Sequence, residues 1–301
     1  MTGQQLIGLT ILPLSLTGFI CNFIILQVTY RIRSLSPSFA LLTGCLALFD
    51  TIFSLIYFGY VGIMIVFDIK LLKYYSYQCG FLLMICYDAS MELHLVISLN
   101  RFFAVFTPVL YRRMFDLKAT KFYAFLCFTF SFANLFVYSK IFGCQTYYDD
   151  SIWMFYFNVE DQLCVEYSWI ADYSKNLGGA TLNAFIDIVT ILKVQSTRKQ
   201  IQKSSQKSAA IRKREIDFIK QTCFQGIVSL FALAVYFNVP YFITNMYIAF
   251  MMTTFLWGCL STSNGIAVLI YNSEIRGSLR KLKNRNVKTS FISVVEKSQR
   301  T

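Results

Sequence analysis

Arg101 ends a long apolar run and is flanked by Asn100 and Phe102. Its guanidinium is permanently charged, so at an apolar boundary it has two uses. It can snorkel to a polar interface and anchor the segment, or it can hold a partner reversibly. Four acids interrupt the apolar runs: Asp88 and Glu92 in the run that Arg101 ends, and Asp50 and Asp187 in two others. Charge within a membrane-length segment is costly and marks a functional candidate. Asp88 and Glu92 are spaced i, i+4 and share a helix face, where two carboxylates could hold a cation or a proton. Glu92 could equally be neutral and bonded to a backbone carbonyl. His94, the sole histidine, has no evident co-ligands and reads as a hydrogen-bonded core residue, so no metal site is expected.

The elements that must position these residues are seven apolar runs at 6–29, 38–66, 80–100, 122–142, 173–195, 218–244 and 249–271. Each is long enough to cross a bilayer core, which needs about 20 apolar residues. Basic residues fall in every second gap. Arg31 and Arg33, Arg112 to Lys121, Arg198 to Lys220, and Arg276 to Arg300 follow runs one, three, five and seven. The opposite side holds only Lys70, Lys73, Lys140 and Lys175. Excess Lys and Arg marks the cytoplasmic side, which predicts the N-terminus outside and the C-terminus inside.

Periodicity does not fix the boundary between runs six and seven, because no charged residue lies between Lys220 and Glu274. Pro240 should kink the sixth helix, and the turn is expected near 245–249. Beyond Tyr271, residues Ile275, Leu279 and Leu282 share one face, the pattern of a short helix along the membrane surface. The predicted fold is an all-α membrane protein, a seven-transmembrane helix bundle (1–273) followed by an amphipathic helix and cytoplasmic tail (274–301). Thr289, Ser290, Ser293 and Ser298 in that tail could accept phosphate.

The chain is 56% hydrophobic, above the ordinary soluble range, and its mean hydropathy is +0.52. A net charge of +12 sits in short runs beside the apolar segments, where anionic lipid is a simpler partner than nucleic acid. The first run is too long for a signal-peptide core and is expected to be a retained span. Six of nine cysteines fall inside apolar runs. Cys79, Cys144 and Cys164 lie at the outer face, where disulfides persist. The long second outer loop, about 143–172, must lie over the bundle. A Cys79–Cys164 bridge to the top of the third span is the first expectation for pinning it, and Cys144–Cys164 is the alternative.

Asn100-Arg101-Phe102, with Ala104-Val105 and Pro108 following, resembles the Asp-Arg-Tyr stretch of rhodopsin-like G-protein-coupled receptors. Asn22 and Asp50 match that superfamily's buried polar pair, Pro240-Tyr241 its sixth-helix proline, and Ile270-Tyr271 the end of its seventh helix. The runs Lys220 to Gly226 and Tyr271 to Arg276 resemble, more narrowly, the nematode chemosensory serpentine receptors of class X. Some positions depart from the pattern. Asn100 replaces an acid, Ala267-Val268 stand where an Asn-Pro would align, and no Trp precedes Pro240. Cys79 lies about one turn closer to Arg101 than the superfamily spacing.

The resemblance implies a plasma-membrane receptor, with a sensory cilium as one setting. Its small-molecule or short-peptide ligand would lie between the outer helix halves, near Tyr87, Asp88, Met91 and Tyr241. A heterotrimeric G protein would meet the inner face at Asn100, Arg101, Phe102, Pro108 and Tyr271. It also implies a water- or sodium-filled site at Asp50 shared with Asn22, Ser90, Ser263 and Asn264. The other reading of Asp50 is a protonated acid bonded to its neighbours. No cofactor is implied. The seventh run has no lysine for a Schiff base, which excludes an opsin-like pigment. An intramembrane enzyme has no catalytic constellation here. A transporter, or an accessory receptor subunit without its own signalling, is the alternative.

Overall fold

The structure, a computed structural model, describes residues 3–31, 36–157, 161–200, 206–238, 242–273 and 275–280. Among these residues, six helices are long and apolar enough to cross a membrane: Gly3–Arg31, Pro37–Val66, Ser76–Phe106, Leu117–Ile141, Gln162–Ser196 and Met246–Tyr271. Gln206–Asn238 is the seventh long helix and sixth in chain order, with a strongly charged first half. It packs between the fifth helix and the last.

The fifth helix begins eleven residues before its predicted start, at Gln162 rather than 173. Its first turns carry Glu166 and Asp172 and so lack an apolar signature, but Asp161 caps them by accepting the Leu163 amide. The last helix starts at Met246, where Asn245 accepts the amides of Tyr247 and Ile248. The preceding turn therefore falls slightly N-terminal to its expected place. Pro240, Tyr241, Leu282 and the tail hydroxyls lie outside the described residues.

Among the described residues, four helices contain a π-helical turn: Tyr57–Gly62, Val137–Ile141, Ser168–Ser174 and Met251–Phe255. All four lie in the half of the bundle opposite Arg101. A two-stranded antiparallel hairpin, Thr146–Asp149 paired with Met154–Phe157, closes that same end. Phe155 is fully buried there, and Tyr236 donates to its carbonyl at 2.6 Å. Gln4 donates to the Tyr148 hydroxyl at 3.1 Å, and burial raises that phenol's pKa, so it stays neutral.

The hairpin crosses the third helix so closely that a Cβ at Gly80 would fall on the carbonyl oxygen of Thr146. Gly80→Ala is expected to cost about 1–3 kcal/mol by forcing the strand away. A thermal-unfolding comparison with Gly178→Ala, whose added Cβ meets open space, checks this.

The Cys79–Cys164 expectation is corrected: the bridge is Cys144–Cys164, with Cα atoms 5.6 Å apart. Cys79 is a free, buried thiol turned into the hydrophobic core with Tyr57 and Leu83. Ser76, one turn earlier, bonds the hairpin by accepting the Tyr148 amide at 3.1 Å. The Cys144–Cys164 bridge ties the approach to the hairpin to the start of the fifth helix, so the loop is pinned to itself.

At the Arg101 end, residues 275–280 form a short helix whose Ile275 is fully buried against Ile25, Val28, Ala47 and Val268. Buried Asn272 caps it, accepting the Ile275 amide at 3.1 Å.

Candidate functional site

Three polar groups are set along the bundle. Nearest the hairpin, Asp88 has no solvent exposure. Its carboxylate accepts from Lys175 Nζ at 2.5 Å, Asn176 Nδ2 at 3.0 Å and Asn134 Nδ2 at 3.4 Å. The third, fourth and fifth helices are thereby joined at one point. Asp172, also buried, accepts from Asn176 at 2.6 Å. Glu92 keeps its buried Oε1 without a hydrogen-bond partner.

Beside this group is a narrow cavity, about 20 Å³, lined by Tyr87, Phe157, Asp172, Tyr236, Phe237 and Trp257 among others. Trp257 is its hub, with ring contacts to Phe53, Tyr57, Tyr87, Phe155 and Tyr236. Of the expected pocket residues, Tyr87 lines the cavity. Asp88 lies behind it in the ion pair, Met91 is half-buried and does not line it, and Tyr241 is outside the described residues.

In mid-bundle, Asp50 is 3% exposed. Ser90 donates to its Oδ1 at 3.1 Å and Asn264 to its Oδ2 at 3.0 Å. Asn22 reaches this group indirectly, by donating to the Ser261 carbonyl at 3.0 Å. Ser261 bonds Ser54 and the Asp50 carbonyl, while Ser263 turns back to Leu260 of its own helix. Ser261 thus occupies the place expected for Ser263. The spacing of hydroxyls on the last helix could not separate the two without the helix's rotation.

At the far end, Arg101 is 8% exposed and donates to Thr222 Oγ1 of the sixth helix at 3.2 Å. Its guanidinium lies 5.1 Å from the centre of the Phe39 ring. Asp187 of the fifth helix, also buried, faces it with Ser98 and Thr222 alongside. Asn100 donates to Ser38, whose hydroxyl bonds Tyr111. Phe102 stacks on Phe106, Pro108 opens the short helix Pro108–Met114, and the Tyr271 ring lies 6.3 Å from Phe224. Asp187 stood out in the sequence as an acid in an apolar run, but its opposition to Arg101 depends on how helices five and three face each other.

No group of three or more metal-binding side chains occurs among the described residues. Among the described residues, seven long helices with a basic residue buried at one end and an aromatic cavity under a disulfide-tied hairpin at the other form a serpentine membrane bundle. A family model described as serpentine type 7TM GPCR chemoreceptor Srx matches residues 12–272, and the chain belongs to that family. Its members are receptors and not enzymes.

Among curated proteins, the chain is 27% identical over 300 residues to serpentine receptor class X 45 of Caenorhabditis elegans, covering 92% of this chain and 81% of that one. Among solved structures it is similar to squid rhodopsin, with a TM-score of 0.74 at 14% identity, over 91% of this chain and 79% of that one. This second likeness concerns the seven-helix fold alone.

Proposed function

We propose that the protein is a plasma-membrane chemoreceptor, N-terminus outside. It takes a small ligand in the aromatic cavity beneath the hairpin and activates a heterotrimeric G protein at the Arg101 end. The observation that carries this reading is Arg101 itself, held by Thr222 of the sixth helix and opposed by Asp187 of the fifth. Outward movement of the sixth helix breaks the Thr222 contact and frees a guanidinium for the partner. A ligand that binds the outward-shifted state better than the resting one drives that change. The basic stretch between Arg198 and Lys220 then meets an acidic protein surface.

Asn100 supports a particular form of the mechanism. With an amide in place of an acid, proton uptake at that residue is not the trigger. The resting state instead relies on contacts across helices, Asn100 to Ser38 and Arg101 to Thr222.

The test measures nucleotide exchange on added Gα subunits by the full-length receptor in lipid nanodiscs, both basal and stimulus-driven. Arg101→Ala and Arg101→Gln are expected to lower exchange about tenfold, a difference of about 1.4 kcal/mol, with surface expression retained. Unchanged exchange at normal expression would remove Arg101 from the coupling site.

A further inference from the structure

We propose that the cavity beneath the hairpin selects a small organic cation, an ammonium group seated among aromatic faces against the Asp172 carboxylate. This assignment rests on the receptor reading above and names the chemistry of its ligand.

The first reason is charge. Among the described residues, Asp172 lines the cavity and Asp88 lies just behind it, and the ammonium nearest these two acids, Lys175, is ion-paired with Asp88. The Asp88 carboxylate is further satisfied by Asn134 and Asn176. Asp172 lines the cavity and accepts a hydrogen bond from Asn176 at Oδ1, while the nearby Lys175 ammonium makes its direct ion pair with Asp88. Buried acids in excess over their cations need a proton or a positive partner. A ligand that brings the positive charge supplies that partner at the one carboxylate the cavity reaches.

The second reason is the wall. Tyr87, Tyr236, Phe237 and Trp257 surround the cavity, with Phe157 of the hairpin above. The Tyr87 and Trp257 rings meet edge to face at 6.1 Å, while Phe157 and Phe237 stack at 6.3 Å. The negative faces of such rings attract an alkylammonium more than a neutral group of the same shape.

These two features together favour an organic cation over the simpler occupants. A metal ion needs several convergent oxygen or nitrogen ligands, and the cavity offers one carboxylate. A neutral odorant fits the rings but leaves Asp172 to be neutralised by a proton, without the attraction that a ligand cation gains there. The free volume, about 20 Å³, has room for little more than one water, so the aromatic rings must turn aside to admit an ammonium group. Asp149, Asp161 and Glu166 near the same end draw cations toward it.

The experiment uses full-length receptor in lipid nanodiscs. Choline is the probe, and 3,3-dimethylbutan-1-ol is its neutral counterpart of matching shape. Choline is expected to raise the unfolding temperature saturably, at a concentration at least about tenfold below that needed for the alcohol. Asp172→Asn keeps a side chain that can bond Asn176 and is expected to abolish that preference. Trp257→Leu, which keeps the charge and removes the largest ring, is expected to reduce it and serves if the first variant fails to fold.

An equal response to the alcohol, an unchanged choline response in both variants, or no response to choline, methylammonium or tyramine overturns the proposal. Nucleotide exchange is read separately. Cation binding without exchange counts against G-protein coupling, whereas exchange driven by neutral compounds alone counts against the cation site.

Discussion

Lys175→Ala is expected to lower the receptor's stability by about 3–5 kcal/mol, the range for breaking a buried ion pair from one side. The Asp88 carboxylate has no solvent exposure, while Lys175 retains 22%. Truncating the lysine strands a charge that two amides, Asn134 and Asn176, cannot neutralise. Asp88→Asn should cost less, about 1–3 kcal/mol, because the partly exposed ammonium can turn toward the hairpin end and rehydrate. The double variant Asp88→Asn/Lys175→Met should recover most of the single-variant loss, since it removes both charges together. Thermal unfolding of purified receptor, with surface expression alongside, measures all three. A cost below about 1 kcal/mol for Lys175→Ala would mean that the pair behaves like an exposed one.

Loss of the disulfide is the second large effect. Cys144 and Cys164 are 20 residues apart, and closing a loop of that length is worth about 3 kcal/mol in the unfolded-chain account. Cys144→Ser and Cys164→Ser should each forfeit it, and a reductant should bring the parent chain to the same unfolding temperature. Cys79→Ala removes only a buried sulfur from a packed core, costing about 1 kcal/mol, and should leave the response to reductant intact. The outcome that restores the Cys79–Cys164 pairing is a Cys79→Ala receptor indifferent to reductant.

The bundle was legible because each apolar run exceeds a bilayer's requirement and the basic residues mark alternate gaps. The helix ends were less so. Charged Glu166 and Asp172 resemble loop residues, and only the Asp161 cap places them on a helix. Residues on a superfamily motif could be listed from spacing, but their partners could not. Asn264 and Ser90 both bond Asp50, whereas Ser263 yields to Ser261. Which hydroxyl faces inward depends on helix rotation, and the π turn at Met251–Phe255 alters that rotation just upstream.

Trp257 carried a faint signal as one of three tryptophans in the chain. Its five ring contacts come from three helices and the hairpin and leave no trace in sequence spacing. Lys175 read as a stray basic residue on the outer side. It is instead the counter-ion of Asp88, because the early start of the fifth helix carries it one helical stretch inward from the boundary.

The four wide turns have an evolutionary consequence. Each accommodates one residue more than an ordinary turn, so a single-residue insertion or deletion near it can be absorbed locally by gaining or losing the bulge. The hairpin end of the molecule can therefore vary in length and side-chain rotation while Arg101 and its neighbours keep their alignment. A lineage of detectors with diversified specificities and one shared output would draw on that separation.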